Sequence, residues 1–329
     1  MKTTVLDCDR EFYERELRSF VPDRVFDAHC HLYRKEHFGS EPPAIASMGP
    51  DADLASFRQA IAAITPAREM GGLFFGFPSP HVDVAANNAF VAAEVRRDAG
   101  SRAQMLVTPA MDPEYVRETV RRERFAGLKC YHVYAAEKPT WEAAIESYLP
   151  EEQVRIAHEE GLSITLHMVR ARALADPVNQ ASIRRYAERY PNARFILAHA
   201  ARGFNPHHTV EGIGSLRGLR NVWCDSSAVT EAGAHEAIIR TLGARRLLYG
   251  SDFPVSHSRG RCVAIGDSFL WLSEENTRFA APYGDVRPVL VGLEALRVLK
   301  LACLNLRLTG SQVERIFYGN AAEMFSLGK

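Results

Sequence analysis

The chain has 329 residues, 47% hydrophobic and 24% charged, with 40 basic residues balancing 40 acidic ones. That balance excludes a surface built for nucleic acid or an anionic membrane, and no apolar run reaches the roughly 18 residues a membrane-spanning helix needs. The first residues lack the apolar stretch of a secretory signal, and the six cysteines (Cys8, Cys30, Cys130, Cys224, Cys262, Cys303) show no C-x-x-C spacing, so a cytoplasmic protein with reduced thiols is expected.

A short helix is expected over residues 10–20, closed by Pro22. The apolar run Val25-Phe26-Asp27-Ala28-His29-Cys30-His31-Leu32 then reads as the first core strand. In a strand, side chains two apart share a face, so His29 and His31 project together. A loop rich in glycine, proline and charge follows over 33–50. From there helix-like and strand-like segments alternate. Helices over 53–67, 84–97, 113–124, 141–160, 181–190, 206–216 and 231–242 separate apolar strands over 72–77, 104–109, 127–131, 162–167, 193–199, 221–225 and 245–252.

Strands of continuous rather than alternating hydrophobicity indicate a parallel sheet covered on both faces. Eight β/α units make a (β/α)8 TIM barrel the expected α/β fold, and no G-x-G-x-x-G follows any strand to favour a doubly wound sheet. One domain over 1–329 is expected, with an N-terminal extension, the barrel over about 22–255, and a helical layer over about 256–329. Helices are expected there over 261–272, 289–306 and from Ser311. The leucines Leu296, Leu299, Leu301 and Leu304 leave open whether that layer covers the barrel or a second subunit in a homodimer.

Barrel active sites lie at the C-terminal ends of the strands. Those positions hold His29 and His31, Lys129, His167, His199 and Asp252. Neutral imidazoles and a carboxylate suit Zn, Fe or Mn; a lysine joins them only when carboxylated. Asp225, ending the seventh strand, reads equally as a group orienting a ligand histidine or as a cap acting with Ser226 and Ser227. Taken singly, each residue is an ordinary satisfied core or rim polar group; the repetition at matching strand ends is what argues for a metal.

These segments carry a family resemblance. Phe26-Asp27-Ala28-His29-Cys30-His31-Leu32, Ile164-Thr165-Leu166-His167, Phe195-Ile196-Leu197-Ala198-His199, Leu248-Tyr249-Gly250-Ser251-Asp252-Phe253-Pro254 and Ile316-Phe317-Tyr318-Gly319-Asn320-Ala321 are similar to the amidohydrolase superfamily of metal-dependent TIM-barrel enzymes. The closest likeness is to the branch containing aminocarboxymuconate-semialdehyde decarboxylases, resorcylate-type decarboxylases and dicarboxylate lactonases. The resemblance implies His29, His31, His167 and Asp252 as ligands of one ion, with His199 a ligand of a second ion or a substrate-polarising residue. It implies one or two divalent ions: two where a carboxylated Lys129 bridges them, one where Lys129 is unmodified and ion-paired in the barrel mouth. In either case Asp252 is the base that takes a proton from the attacking water.

The function so expected is hydrolysis of a C–N or C–O bond (amide, lactone or ester) in a small molecule. A non-haem diiron oxygenase and a non-hydrolytic metal-dependent decarboxylase are the alternatives on the same ligand set. Arginines recur after the ligand-bearing strands: Arg34, Arg170, Arg172, Arg202, Arg259 and Arg261. Their planar forks suit a carboxylate- or phosphate-bearing substrate, with Arg170 and Arg202 the foremost contacts. His81, His132 and His257 fall in loops beside the same strand ends and are candidate pocket residues, as are His207 and His208.

Overall fold

Strand formation follows the apolar runs. In the computed structural model, which describes residues 5–39, 51–66, 69–273, 276 and 287–327, nine strands form one sheet. They are β1 (Arg24–Arg34), β2 (Asp51–Ala52), β3 (Glu69–Gly76), β4 (Arg102–Leu106), β5 (Gly127–Tyr131), β6 (Ser163–His167), β7 (Arg194–Leu197), β8 (Val222–Asp225) and β9 (Leu247–Leu248). The order is β2-β1-β3-β4-β5-β6-β7-β8-β9, parallel throughout except for the short β2, which pairs antiparallel with β1. Every residue of β1 between its two ends is buried, which is why the run is apolar on both faces.

The sheet closes on itself. Ala28 N–H donates to Tyr249 O at 2.8 Å, Asp252 N–H to His29 O at 2.9 Å and His31 N–H to Phe253 O at 2.8 Å. These bonds join β1 to the chain leaving β9, so the eight parallel strands form the expected barrel. Several outer helices start on an aspartate whose side chain accepts a backbone N–H of the first turn: Asp53, Asp83, Asp112 and Asp176. Such caps satisfy donors the helix cannot satisfy itself, and Pro113 and Pro177 occupy a first-turn position where no donor is needed.

Several expected elements differ. Residues 261–272 form no helix but a hairpin, β10 (Gly260–Ile265) and β11 (Ser268–Ser273). Gly266, at φ 55°, makes the tight turn between Ile265 and Ser268 that a helix would forbid. The helix expected over 141–160 is real only over Glu151–Glu159, preceded by short 3₁₀ turns at Thr140–Glu142 and Ile145–Ser147. Pro150 disfavours helical backbone at the residue before it and so sets the start. The N-terminal helix runs Asp7–Phe12 and widens into a π turn at Tyr13–Leu17. The end of the 53–67 helix and most of the loop over 33–50 lie outside the described residues. The C-terminal helix Val291–Asn305 buries Leu296 and Leu299 and leaves Leu301 and Leu304 exposed.

One buried ion pair ties the N-terminal extension to the end of the barrel. Arg259 reaches Asp9 with both terminal nitrogens, at 3.0 and 2.7 Å, and Asp9 also accepts from Leu6 N and Leu290 N. Asp9 is fully buried. Asp9→Ala strands the guanidinium, and the expected loss of unfolding free energy is about 3–5 kcal/mol. Asp7→Ala, at an exposed pair with Arg10, should cost under about 1 kcal/mol. Urea melts of both variants check this, and equal losses would show that the Asp9 pair anchors nothing.

Candidate metal centre

Strand alternation and barrel closure together build the centre. His29 and His31 point to one side of β1, and the bond from Asp252 N–H to His29 O brings the aspartate beside them. His29 Nε2 lies 3.5 Å and His31 Nε2 3.4 Å from Asp252 Oδ1. The ligand atoms of His29, His31 and Asp252 all fall within 4.8 Å of one another, and all three residues are buried. Asp252 sits at φ 64°, a left-handed backbone uncommon for residues other than glycine, which aspartate tolerates better than most.

His167 ends β6, with its ring 5.0 Å from that of His199 and 4.2 Å from Tyr131. Its Nδ1 is buried without a hydrogen-bond partner among the described residues. An orphaned buried nitrogen is costly, and one on a ring packed beside other imidazoles fits a site that takes a cation. His199 follows β7 in a conformation that no helix or strand pattern announces. His199, Ala200, Ala201 and Arg202 take φ of 57°, 52°, 60° and 58°. A left-handed turn without glycine costs about 1–2 kcal/mol per residue. It is held by His199 N–H to Asp225 Oδ1 (2.9 Å), Gly203 N–H to His199 O (2.6 Å) and the Thr209 hydroxyl to Ala200 O (3.0 Å).

Charge is arranged to suit a cation. Burial, then the Lys129 charge, push His29 down to about 3. Burial also lowers His31, and burial with His199 and Arg202 holds His167 well below its ordinary value. The three imidazoles are therefore neutral, with lone pairs to donate. Burial alone would raise Asp252, but His199, His31 and His29 outweigh it and keep the carboxyl below the usual range, ionised. Lys129 is fully buried, its Nζ 3.3 Å from His29 Nε2 and 4.5 Å from the centre of the Phe75 ring. Burial lowers it to about 8.

Behind the cage, Asp225 Oδ2 is 2.9 Å from His29 Nδ1, and the Ser227 hydroxyl lies 2.6 Å from Asp225 Oδ1, 2.9 Å from His199 Nδ1 and 3.2 Å from His29 Nδ1. Asp225 also accepts Ser227 N–H at 3.1 Å, so the orienting and local capping roles coexist. The sequence offers Ser227 only a local capping role with Asp225, because a serine two residues beyond a strand-ending aspartate looks like a turn; its contacts with His29 and His199 come from the fold.

The structure gathers His29, His31, Lys129, His167, His199 and Asp252 at one end of the barrel. His132 stands at its edge, its ring 5.6 Å from His167 and its Nδ1 3.3 Å from the Thr140 hydroxyl; burial and then Arg202 push it down to about 4. Arg202 lies over Phe269 and donates to Met168 O, and burial lowers its pKa. Phe269 and Trp271 of the hairpin pack on Phe204, which stacks on His199. The remaining rim candidates have partners or exposure of their own. Arg170 pairs with Asp176 and the Glu142 carbonyl, and His257 bonds the Ala60 carbonyl and the Ser256 hydroxyl. Arg34 lies over Phe90, His81 and His207 are exposed, and His208 pairs with Asp267. Arg172 pairs with Glu211, and Arg259 with Asp9.

A closed eight-stranded barrel with imidazoles and an aspartate converging at its strand ends defines a metal-binding barrel enzyme. More particularly, the chain belongs to the amidohydrolase family, whose model matches residues 26–327. Over 240 residues it is 27% identical to an L-fucono-1,5-lactonase of Burkholderia ambifaria, an alignment covering 67% of this chain and 74% of that protein. Among solved structures it resembles an amidohydrolase from Burkholderia multivorans with bound HEPES (TM-score 0.62, 15% identity, 92% of this chain and 99% of that one). A structure of an amidohydrolase from the same organism with bound zinc matches at TM-score 0.58, 15% identity and the same coverage. A 2-pyrone-4,6-dicarboxylic acid hydrolase from Pseudomonas putida, so described provisionally, matches at TM-score 0.57 and 14% identity over 94% and 100% of the two chains. At these identities the structural likenesses establish the fold.

Proposed function

We propose that the protein is a divalent-metal-dependent lactonase, hydrolysing the cyclic ester of a small hydroxy acid. The observation that carries this reading is the cluster of His29, His31 and Asp252, whose ligand atoms lie within 4.8 Å of one another with the imidazoles neutral and the carboxylate ionised. Likeness to a lactonase supports the choice of ester over amide. His29, His31, His167 and Asp252 are the ligands. A divalent ion, when bound, supplies Lewis acidity to the attacking water and to the ester carbonyl. Asp252 accepts the water's proton and returns it to the leaving oxygen as the ring opens. His199 lines the same centre, aimed there by its left-handed turn.

Hydrolysis of aldonolactones, followed as acid release, tests the reading. Activity should vanish on chelation and return with zinc or manganese. Asp252→Asn should cut turnover at least roughly 100-fold while retaining most of the metal. Oxygen uptake or carbon dioxide release with substrate, or near-normal turnover in Asp252→Asn, would overturn it.

Lys129 decides the number of ions. With its pKa near 8, about one-tenth of the buried amine is uncharged at pH 7 and open to carboxylation by carbon dioxide. Carboxylation reverses its charge beside two carboxylates, Asp225 and Asp252, so the modification and a second cation accompany each other. On this binuclear reading Lys129→Ala loses about one metal equivalent per chain, measured by elemental analysis. Unchanged metal content would assign a single ion and an unmodified lysine.

Arg202 is a cation whose charge bears on His132 and His167, and it is the proposed contact for a carboxylate on the substrate or the one formed by ring opening. A charge-assisted hydrogen bond is worth about 1.5–3 kcal/mol, so Arg202→Met should raise KM roughly tenfold or more with kcat little changed. An unaltered KM would remove Arg202 from the substrate contact.

A further inference from the structure

The hydrogens around Asp225 are determined by which partners can donate. Asp225 Oδ1 accepts from His199 N–H (2.9 Å), Ser227 N–H (3.1 Å) and the Ser227 hydroxyl (2.6 Å). Oδ2 faces His29 Nδ1 at 2.9 Å, and an ionised carboxylate has nothing to donate, so that nitrogen carries the hydrogen. The lone pair of His29 is thereby placed on Nε2, toward Asp252 and Lys129. His199 is settled in the same way. Its Nδ1 is 3.2 Å from the Ser227 carbonyl, which can only accept, and 2.9 Å from the Ser227 hydroxyl, whose hydrogen is committed to Asp225.

The side chains of His29, His199 and Asp225 also lie close enough to one another to suggest a metal triad of their own. The Ser227 oxygen, 2.6 to 3.2 Å from all three, occupies their common centre, which makes this group a hydrogen-bonded hub and not an ion site.

We infer that Asp225 and Ser227 are positioning residues that lock both His29 and His199 with hydrogen on Nδ1, so that a single carboxylate orients the ligand on β1 and the histidine after β7. The inference rests on the proposed role of His29 as a metal ligand but not on the identity of the substrate. Asp225 is fully buried, and its backbone donors cannot be reversed. In Asp225→Asn the amide oxygen is therefore held by the same three donors, and the NH2 must face His29 Nδ1. That nitrogen then becomes the acceptor, and the hydrogen moves to Nε2, where it blocks metal ligation. Outer partners of this kind typically contribute 10–100-fold to metal affinity or activity.

The test uses ¹⁵N-histidine NMR of the metal-free chain with zinc titration calorimetry. Asp225→Asn should switch His29 to the Nε2–H form and weaken zinc binding about 10–100-fold. Ser227→Ala should leave the His29 tautomer and zinc affinity as in the wild type while shifting the His199 Nδ1 resonance. An unchanged His29 tautomer with wild-type zinc affinity in Asp225→Asn, or an unmoved His199 resonance in Ser227→Ala, overturns the inference. Neither readout needs a substrate, so loss of the lactonase reading leaves the test intact. Should Asp225→Asn fail to fold, Ser227→Ala still decides the coupling to His199.

Discussion

Three backbone hydrogen bonds along the seam between β1 and the chain leaving β9 are what the rest of the structure depends on. One of them runs from Asp252 N–H to the carbonyl of His29 itself, and the next from His31 N–H to Phe253 O. Closing the barrel and assembling the ligand cluster are therefore one event. A barrel left open at this seam would bury the same apolar strands but hold the histidines and the aspartate on separate edges. The left-handed backbone at Asp252 is the local cost of turning the carboxylate inward while its N–H stays in the seam.

The same economy recurs opposite. Four successive left-handed residues carry His199 and Arg202 to the site, and the bond that secures the first of them ends on Asp225. Asp225 in turn faces His29. Strain in one loop is offset by hydrogen bonds to a carboxylate already needed by a neighbour. Electrostatics follow from the same burial: imidazoles excluded from water stay neutral, and aspartates surrounded by them and by Lys129 stay charged.

The barrel was legible because strands buried on both faces leave continuous apolar runs, and these survive inspection without knowledge of their partners. The strand-end residues stand out only together: singly each reads as an ordinary polar group, and it is their repetition at matching strand ends that marks them. The hairpin over Gly260–Ser273 reads as helix because its flanking residues are also tolerable in one, although Gly266-Asp267 between apolar residues is a turn signal. The helix ahead of β6 starts later than its periodicity suggests because Pro150 disfavours helical backbone before it. Among the rim arginines, residue type said nothing of partner. Arg170 faces Asp176 and Arg259 faces Asp9, contacts that depend on loops and on residues 250 positions away.

What the sequence determined by itself is the parallel barrel, which follows from eight continuously apolar runs alternating with helices, and the pairing of His29 with His31, which follows from the two-residue period of one strand. Only the tertiary structure decided how those histidines are oriented. His29 Nδ1 meets Asp225 and Ser227, 196 and 198 positions away, His31 Nδ1 meets the Gly76 carbonyl, and His199 is placed by a left-handed turn that its alanine-rich sequence does not favour. Tautomer and orientation are properties of contacts across the barrel, and no local pattern encodes them.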